Sequence, residues 1–216
     1  MGDHNYINII DPGTRIAEVD CFNLLAIKAP LKTTYHLPAL FGMKSLSHYN
    51  QPKGIIILGS GASPNDKLDW QAQLGQWLTK QIDAGTPMLG ICYGHQLIAH
   101  LLGGTIGFMR VDQTKRTGFY TINVSANRLW PQESVSLLMS HREMITILPQ
   151  QLENIASSKE CPCEGFQHKT KPIWGLQSHP EATVAFMENQ NIEPIPKNLN
   201  TFTAGHSLVE AFFSSL

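Results

Sequence analysis

The 216-residue sequence lacks the features that mark membrane-spanning and nucleic-acid-binding proteins. No apolar run approaches the roughly 20 residues of a membrane span, and residues 1–8 do not show the charged and then apolar order of a signal peptide. The formal net charge is −1, which gives no electrostatic reason to expect a nucleic acid or an anionic membrane as partner. We therefore expect a cytoplasmic globular protein, and a chain of this length fits one domain over residues 1–216.

Cysteine is scarce, with four residues in the chain. Their spacing is not that of a disulfide framework, and an intracellular chain would keep them reduced. Cys161 and Cys163 lie two positions apart with His168 nearby. This pattern leaves a metal or redox pair open beside the plainer alternative of a loop with incidental cysteines.

Strand and helix patterns alternate in the first half of the chain. Short apolar runs at residues 6–11, 54–58 and 87–91 are typical of buried strands. Residues 69–84 carry a helical stripe of apolar side chains, and residues 95–102 predict a shorter helix that directly follows the third strand. Strand–loop–helix units of this kind predict an α/β fold with a mostly parallel central sheet and helices on both faces.

The second half has a different character. Residues 119–124, 134–139 and 173–177 are typical of strands separated by turns, and residues 207–213 predict a closing amphipathic helix. We expect these strands to add a small mixed or antiparallel sheet to the same domain. The stretch 188–203, rich in Pro and Asn, predicts a surface loop.

The third apolar run ends at a cysteine with a glycine on each side. Gly90 lies two residues before Cys92 and Gly94 lies two residues after it, between a buried strand and a helix. This is the pattern of a nucleophile elbow, a sharp turn that holds the central side chain above the sheet edge. A sulfur at a helix N-terminus has a lowered pKa because the helix dipole favours the thiolate. The structural alternative is that Cys92 is a small apolar residue at the end of a strand.

A second segment supplies a base. His179 follows a short predicted strand, and Glu181 stands two residues on, with Pro180 making the turn between them rigid. A thiol nucleophile needs a base that takes its proton and later returns it to the leaving group, and an acid on the other ring nitrogen orients that base. The chain has nine histidines, and most surface histidines have no chemical role, so it is the combination with the elbow that favours His179.

Taken together, these segments resemble the class I glutamine amidotransferases, which use a Cys-His-Glu triad to release ammonia from glutamine. The matching blocks are residues 87–96, 56–61, 139–141 and 175–183. Within the family they are most similar to the glutaminase domain of GMP synthase. The resemblance implies a flavodoxin-like α/β fold and a triad of Cys92, His179 and Glu181.

The resemblance also implies the other site residues. The backbone N–H groups of Gly61 and Tyr93 would form the oxyanion hole, and Gln96, Ser140 and His141 would bind the substrate glutamine. Two positions differ from the family pattern. The loop reads Gly-Ser-Gly-Ala at residues 59–62, where Ser-Gly-Gly-Pro is common, and Ser178 replaces an aromatic residue before the histidine.

Glutamine hydrolysis is wasteful unless the ammonia is captured, and the sequence contains no phosphate-binding Gly-x-x-x-x-Gly-Lys-Ser/Thr loop. We therefore expect a separate ATP-dependent synthetase as partner, and this chemistry requires no cofactor and no metal. Two alternatives remain open. One is a peptidase that cleaves γ-glutamyl bonds in small peptides with the same triad, and the other is a non-catalytic regulatory protein of the same fold.

Overall fold

The computed structural model describes residues 5–216, which form a nine-stranded sheet, a two-stranded sheet and surrounding helices. The strands are β1 Tyr6–Ile10, β2 Lys32–His36, β3 Gly54–Ile57, β4 Met88–Ile91, β5 Thr105–Phe108, β6 Arg116–Val124, β7 Glu133–His141, β8 Glu143–Ile147, β9 Leu152–Ser157, β10 Gly165–His168 and β11 Ile173–Leu176. The helices are α1 Val19–Lys28, α2 Pro38–Phe41, α3 Lys44–His48, α4 Asp69–Asp83, α5 Tyr93–Leu101, α6 Val184–Asn189 and α7 Thr203–Phe213, with a 3-10 helix at Leu199–Phe202.

The nine-stranded sheet has a parallel half and an antiparallel half. Its order is β2-β1-β3-β4-β11-β10-β9-β6-β7. The five strands from β2 to β11 are parallel to one another, and the pairs from β11 to β7 are antiparallel. The last strand in sequence, β11, therefore lies beside β4 at the centre of the sheet. Because both strands run the same way, their carboxyl ends meet at one edge, where α/β proteins commonly bind ligands.

The central parallel strands β3, β4 and β11 are buried along their whole length because both faces of the sheet are covered there. In β3, Ile56 packs into one hydrophobic cluster and its neighbours Ile55 and Ile57 pack into another. The first cluster includes Leu25 of α1 and Leu208 of α7, and the second includes side chains of α4 and α5. The sheet thus lies between two helical layers, as the sequence predicts.

The predicted fold class is confirmed, and several details differ. The predicted small sheet exists as the antiparallel pair β5–β8, but most of the second-half strands extend the main sheet instead. Helix α5 begins at Tyr93 rather than His95, because the turn at Cys92 passes directly into the helix. The surface loop predicted for residues 188–203 is only partly correct, since it contains the 3-10 helix and the buried side chains of Ile192 and Phe202.

No helix within residues 5–216 has both the length and the apolar character that crossing a membrane requires.

A buried ion pair connects β6 with the segment that precedes β10. Arg116, the first residue of β6, donates from Nη1 to Oε1 of Glu164 over 2.6 Å, and the two side chains are 2% and 0% exposed. Ser158 donates its hydroxyl to the same oxygen over 2.6 Å. The backbone carbonyl of Glu164 accepts from the N–H of Gln177, just past β11. The pair therefore holds the start of β6 against the segment that leads into β10 and against the end of β11.

We predict that Glu164→Gln destabilises the fold by about 3–5 kcal/mol, because the guanidinium of Arg116 is then left buried without a counter-charge. The double variant Arg116→Met/Glu164→Leu removes both charges and should recover much of this loss. Urea unfolding curves measure both effects. The control is Glu160→Gln, which breaks an exposed Arg110–Glu160 pair of the same 2.6 Å separation and should barely move the unfolding midpoint. Equal shifts in Glu164→Gln and Glu160→Gln would contradict the prediction.

Candidate active site

Cys92 forms a sharp turn between β4 and α5. It follows Ile91, the last residue of β4, and precedes Tyr93, the first residue of α5. Its backbone has φ 50° and ψ −100°, a conformation that a non-glycine residue adopts only when the surrounding structure enforces it, at about 1–3 kcal/mol. Its N–H donates to the carbonyl of Leu176 over 2.8 Å, so the turn is fixed to the end of the neighbouring strand. The side chain is 5% exposed.

The two flanking glycines are required by close backbone contacts. A Cβ atom on Gly94 would lie 2.3 Å from the carbonyl oxygen of Ile57, and one on Gly90 would lie 2.6 Å from the carbonyl group of Gly94. Both distances are too short for any side chain. The glycine pattern seen in the sequence therefore lets the elbow pack directly against its own strand and the neighbouring one, as a nucleophile elbow requires.

The sulfur of Cys92 lies at the N-terminus of α5. The first N–H groups of a helix have no partner inside the helix, so the N–H of Tyr93 is not used by α5 itself. The positive end of the helix dipole also favours a negative charge at this position. The hydroxyl of Tyr93 accepts a hydrogen bond from Gln71 over 3.1 Å, which ties the start of α5 to α4.

His179 and Glu181 follow β11, the strand beside β4. Nδ1 of His179 lies 3.0 Å from Oε1 of Glu181, and both side chains are buried. Because a carboxylate only accepts, Nδ1 carries the proton, which leaves Nε2 as the second functional atom of the ring. Burial lowers the pKa of His179, but attraction to Glu181 and Cys92 outweighs it, so that the pKa is raised above its ordinary value. The ring centroid of Phe186 lies 4.5 Å from that of His179 and fixes the imidazole from one side.

Gly59, one of the positions that differ from the family pattern, contacts the imidazole directly. A Cβ atom at this position would lie 2.7 Å from Cε1 of His179. A larger residue would therefore displace the ring. Ser178, the other departure, is fully buried, and no residue within 5–216 makes a hydrogen bond to its Oγ.

The loop after β3 carries the expected second oxyanion donor. Oγ of Ser60 donates to the carbonyl of Pro12 over 2.7 Å and accepts from the N–H of Ala62. These bonds hold the loop around Gly61, which is exposed. Among the hydrogen bonds of the described residues, none uses the N–H of Gly61. Because β3 pairs with β4, this loop leaves the sheet next to the elbow.

The predicted substrate-binding residues are buried near the predicted triad, and some of their polar atoms already have partners. Nε2 of Gln96 donates to the backbone carbonyl of Glu143 over 2.8 Å and to Oε1 of Gln177 over 3.0 Å. Within residues 5–216, no hydrogen bond reaches Oε1 of Gln96 or Oγ of Ser140. The structure therefore leaves one acceptor on Gln96 and one hydroxyl on Ser140 for a ligand.

His141 has a defined tautomer. Its Nδ1 lies 3.0 Å from the carbonyl oxygen of Glu143, which only accepts, so Nδ1 is protonated. Burial lowers the pKa of His141 to about 4, and the ring is neutral at pH 7. Its Nε2 is then an acceptor, and it is buried with no partner among the residues that the structure describes.

Gln177 was not singled out from the sequence. It is fully buried, and its Nε2 lies 3.7 Å from the sulfur of Cys92. The available signal was a polar side chain at the end of an otherwise apolar strand, two residues before His179. That signal predicts a buried side chain at position 177, but it does not predict which atom the amide group faces.

Of the other cysteines, Cys161 and Cys163 lie just before β10, whereas Cys21 packs in one hydrophobic cluster with Ala182 and Phe186. Cys21, Cys161 and Cys163 are buried, and burial raises the pKa of each thiol, in Cys163 to about 12. The sulfurs of Cys161 and Cys163 contact backbone carbonyls. No cluster of three or more His, Cys, Asp or Glu side chains suited to a metal ion occurs in the described part of the chain.

The protein is similar to known proteins in sequence. The family model for "Glutamine amidotransferase class-I" matches residues 23–194. The chain is 39% identical over 148 residues to one subunit of the glutamine-hydrolyzing GMP synthase of Methanocaldococcus jannaschii, covering 67% of this chain and 73% of that protein. It is 35% identical over 130 residues to the glutamine-hydrolyzing GMP synthase of Clostridium botulinum, and this match spans 24% of the length of that longer relative.

The fold is similar to that of solved structures. A GMP synthase subunit-like protein of Thermoplasma acidophilum superposes with a TM-score of 0.73 at 20% identity, covering 100% of this chain and 96% of that one. A glutamine amidotransferase of Thermotoga maritima gives a TM-score of 0.75 at 17% identity, with 99% and 98% covered. At these identities the likeness concerns the fold alone, whereas the family match extends over most of the sequence. The chain belongs to the class I glutamine amidotransferases.

Proposed function

We propose that the protein hydrolyses L-glutamine to glutamate and ammonia with Cys92 as nucleophile, His179 as base and Glu181 as the acid that orients it. The single observation that carries this proposal is the meeting of an elbow cysteine and a buried His–Glu pair at the adjacent ends of β4 and β11. Membership of the class I family supports glutamine as the substrate.

In the first half-reaction, the thiolate of Cys92 attacks the side-chain amide carbon of glutamine. The resulting oxyanion accepts hydrogen bonds from the N–H groups of Tyr93 and Gly61; losing one such donor typically costs about 3–4 kcal/mol of barrier. The imidazolium of His179 gives its proton to the amide nitrogen, ammonia leaves, and a γ-glutamyl thioester remains.

In the second half-reaction, neutral His179 takes a proton from water as the water attacks the thioester carbon. The new tetrahedral intermediate collapses and expels the thiolate, glutamate leaves, and the thiolate–imidazolium pair is restored. Glu181 stabilises the imidazolium in both halves because it accepts from Nδ1.

Gln96, Ser140 and His141 are proposed to hold the amino-acid end of glutamine. The substrate carries an α-ammonium, which needs acceptors. Neutral His141 offers Nε2, Gln96 offers Oε1, and the hydroxyl of Ser140 accepts or donates. The atoms without partners therefore match the α-ammonium of the substrate in hydrogen-bonding character, and the hydroxyl of Ser140 can also donate to its α-carboxylate.

The ammonia is proposed to pass to a separate ATP-dependent synthetase similar to that of GMP synthase. The relative from Methanocaldococcus jannaschii is named as one subunit of its GMP synthase, and this wording supports a second subunit. No cofactor is needed for glutamine hydrolysis by a thiol.

We predict that a diazo-ketone analogue of glutamine forms one covalent adduct, at Cys92, because the pKa of each of the other three thiols is raised and thiolate is the reactive form. Peptide mass spectrometry locates the adduct, and loss of glutaminase activity should parallel it. Cys92→Ser should abolish both, and Cys161→Ser, whose hydroxyl can keep the contact with the carbonyl of Cys163, serves as the matched control that keeps both. An adduct at another cysteine of the parent chain, formed in parallel with loss of activity, would contradict the assignment.

Incubation with glutamine and with γ-glutamyl dipeptides separates the glutaminase from a γ-glutamyl peptidase. We expect kcat/KM to be higher for glutamine, and a higher value for the dipeptides would favour the peptidase. No turnover of either substrate, with or without a partner, would favour a regulatory protein.

Replacing Glu181 by Gln should lower the pKa of His179 and slow glutamine hydrolysis by about 10²- to 10⁴-fold, because the imidazolium loses its counter-charge and the amide no longer selects one tautomer. Steady-state kinetics give the rate, and a circular dichroism spectrum like that of the parent chain shows that the fold is kept. Glu188→Gln, on α6 outside the site, is the control. A rate for Glu181→Gln within twofold of the control would exclude Glu181 from the triad.

The free chain should show weak glutaminase activity that increases with the correct partner. Coupling between two sites is worth about 1–3 kcal/mol in typical cases, so a rise of about 5- to 150-fold is expected. Turnover measured with each candidate synthetase subunit, with its ATP and acceptor substrates present, is the test. Unchanged turnover across all of them would overturn the partner proposal and leave the hydrolytic assignment standing.

A further inference from the structure

A continuous chain of side-chain amides connects the substrate-binding residues to the nucleophile. Nε2 of Gln177 lies 3.7 Å from Sγ of Cys92, and Oε1 of Gln177 lies 3.0 Å from Nε2 of Gln96. Nε2 of Gln96 also lies 2.8 Å from the backbone carbonyl of Glu143. Gln96 and Gln177 are 3% and 0% exposed, so both amides lie out of bulk water.

The donor and the acceptor of every hydrogen bond between these amides follow from the bond to the backbone carbonyl of Glu143. The carbonyl of Glu143 only accepts, so the atom of Gln96 that faces it is the NH₂ group. The same NH₂ group faces Gln177, whose facing atom must then be the carbonyl oxygen. The NH₂ group of Gln177 is therefore the one that faces the sulfur of Cys92. The backbone carbonyl of Glu143 thus sets the orientation of both amides, so that an N–H donor of Gln177 faces the sulfur of Cys92.

We propose that Gln177 is a further catalytic residue, whose amide N–H stabilises the thiolate of Cys92, and that Gln96 is a positioning residue that aims this amide at the sulfur. The proposal rests on Cys92 being the nucleophile of the proposed function. A hydrogen bond to the charged form of a group favours that form, and hydrogen bonds to charged partners are stronger than neutral ones. In this site, Gln177 adds a donor to those of the helix N-terminus.

This arrangement also changes the expected role of Gln96. Both hydrogens of its NH₂ group are used, one by the carbonyl of Glu143 and one by Gln177. Its contact with substrate is then limited to Oε1, which suits the α-ammonium or amide N–H of glutamine. The side chain that holds the substrate would therefore be the same one that sets the direction of the donor to the nucleophile.

Other groups also act on the thiol and must be held constant in a test. His179, with Glu181, faces Cys92 from the end of β11. Lys115, just before β6, interacts with Cys92 electrostatically, and it stands opposite Arg142 because Arg116 pairs with His141. His141, on β7, interacts with His179. The variants below leave all of these side chains unchanged.

The test measures the thiol itself and not glutamine turnover. The second-order rate of Cys92 alkylation by iodoacetamide is followed by mass spectrometry from pH 5 to 9 in the full chain, in Gln177→Met and in Gln177→Glu. Methionine keeps the length and burial of glutamine but donates no hydrogen bond, and glutamate replaces the donor by an acceptor. Gln167→Met is the matched control, since Gln167 is a buried glutamine on β10 that bonds to Arg128 and Glu153.

We expect the midpoint of the alkylation profile to rise by about one pH unit in Gln177→Met, which is about a tenfold lower rate below the midpoint. Gln177→Glu should raise it further, and Gln167→Met should leave it unchanged. Gln96→Met should raise it by less than Gln177→Met, because the amide of Gln177 keeps its donor but loses its orientation. Thermal melting curves identify any variant that has unfolded, and Gln177→Asn, a shorter donor, then serves as the second variant.

An unchanged midpoint in folded Gln177→Met, or equal shifts in Gln177→Met and Gln167→Met, would overturn the proposal. These outcomes are distinct from failure of the proposed function. If the chain does not hydrolyse glutamine, the alkylation profile still reports whether Gln177 acts on the sulfur. If it does hydrolyse glutamine and the profile does not move, the glutaminase assignment stands and Gln177 has only a packing role.

Discussion

The parallel pairing of β4 with β11 is the constraint on which the site depends. The two strands are far apart in sequence, and their registered pairing ends at Ile91 and Leu176. One further hydrogen bond, from the N–H of Cys92 to the carbonyl of Leu176, continues this pairing into the elbow. The residues that follow Leu176 then lead within three positions to His179. Any shift of register between these strands would move the imidazole relative to the sulfur by a residue or more.

Close packing and electrostatics reinforce this pairing. Gly94 lets α5 approach the backbone of β3, and Gly59 lets the imidazole of His179 approach the loop that follows β3. The strained backbone at Cys92 is held by these contacts and not by its own conformational preference. The site also combines a helix N-terminus, a buried carboxylate and a buried imidazole, all shielded from bulk solvent. In such a site each charge interaction is stronger than at the surface.

The features of the fold and the site that depend on short stretches of sequence could be predicted from the sequence. The alternation of apolar strands with helices indicated the parallel half of the sheet, and the glycines around Cys92 predicted the elbow, because both are properties of short segments. The sequence could not show that β6, β7, β9 and β10 would extend the main sheet, since strand order depends on pairing between distant segments. The elbow and the His-Pro-Glu turn predicted that Cys92, His179 and Glu181 act together, and in the structure Nδ1 of His179 lies 3.0 Å from Oε1 of Glu181. The sequence offered no indication that Gly59 contacts the imidazole, because that contact joins residues 120 positions apart.

The amide chain shows why such features are absent from a one-dimensional pattern. Its members come from α5, from the start of β8 and from the residue just past β11, so no single segment contains the signal. The backbone carbonyl of Glu143 sets the orientation of both amides. This bond does not depend on which side chain stands at position 143. That carbonyl accepts from both Gln96 and His141, and it thereby fixes the amide of one and the tautomer of the other. A single main-chain acceptor thus determines which atoms of the pocket donate and which accept, and it does so before any ligand arrives.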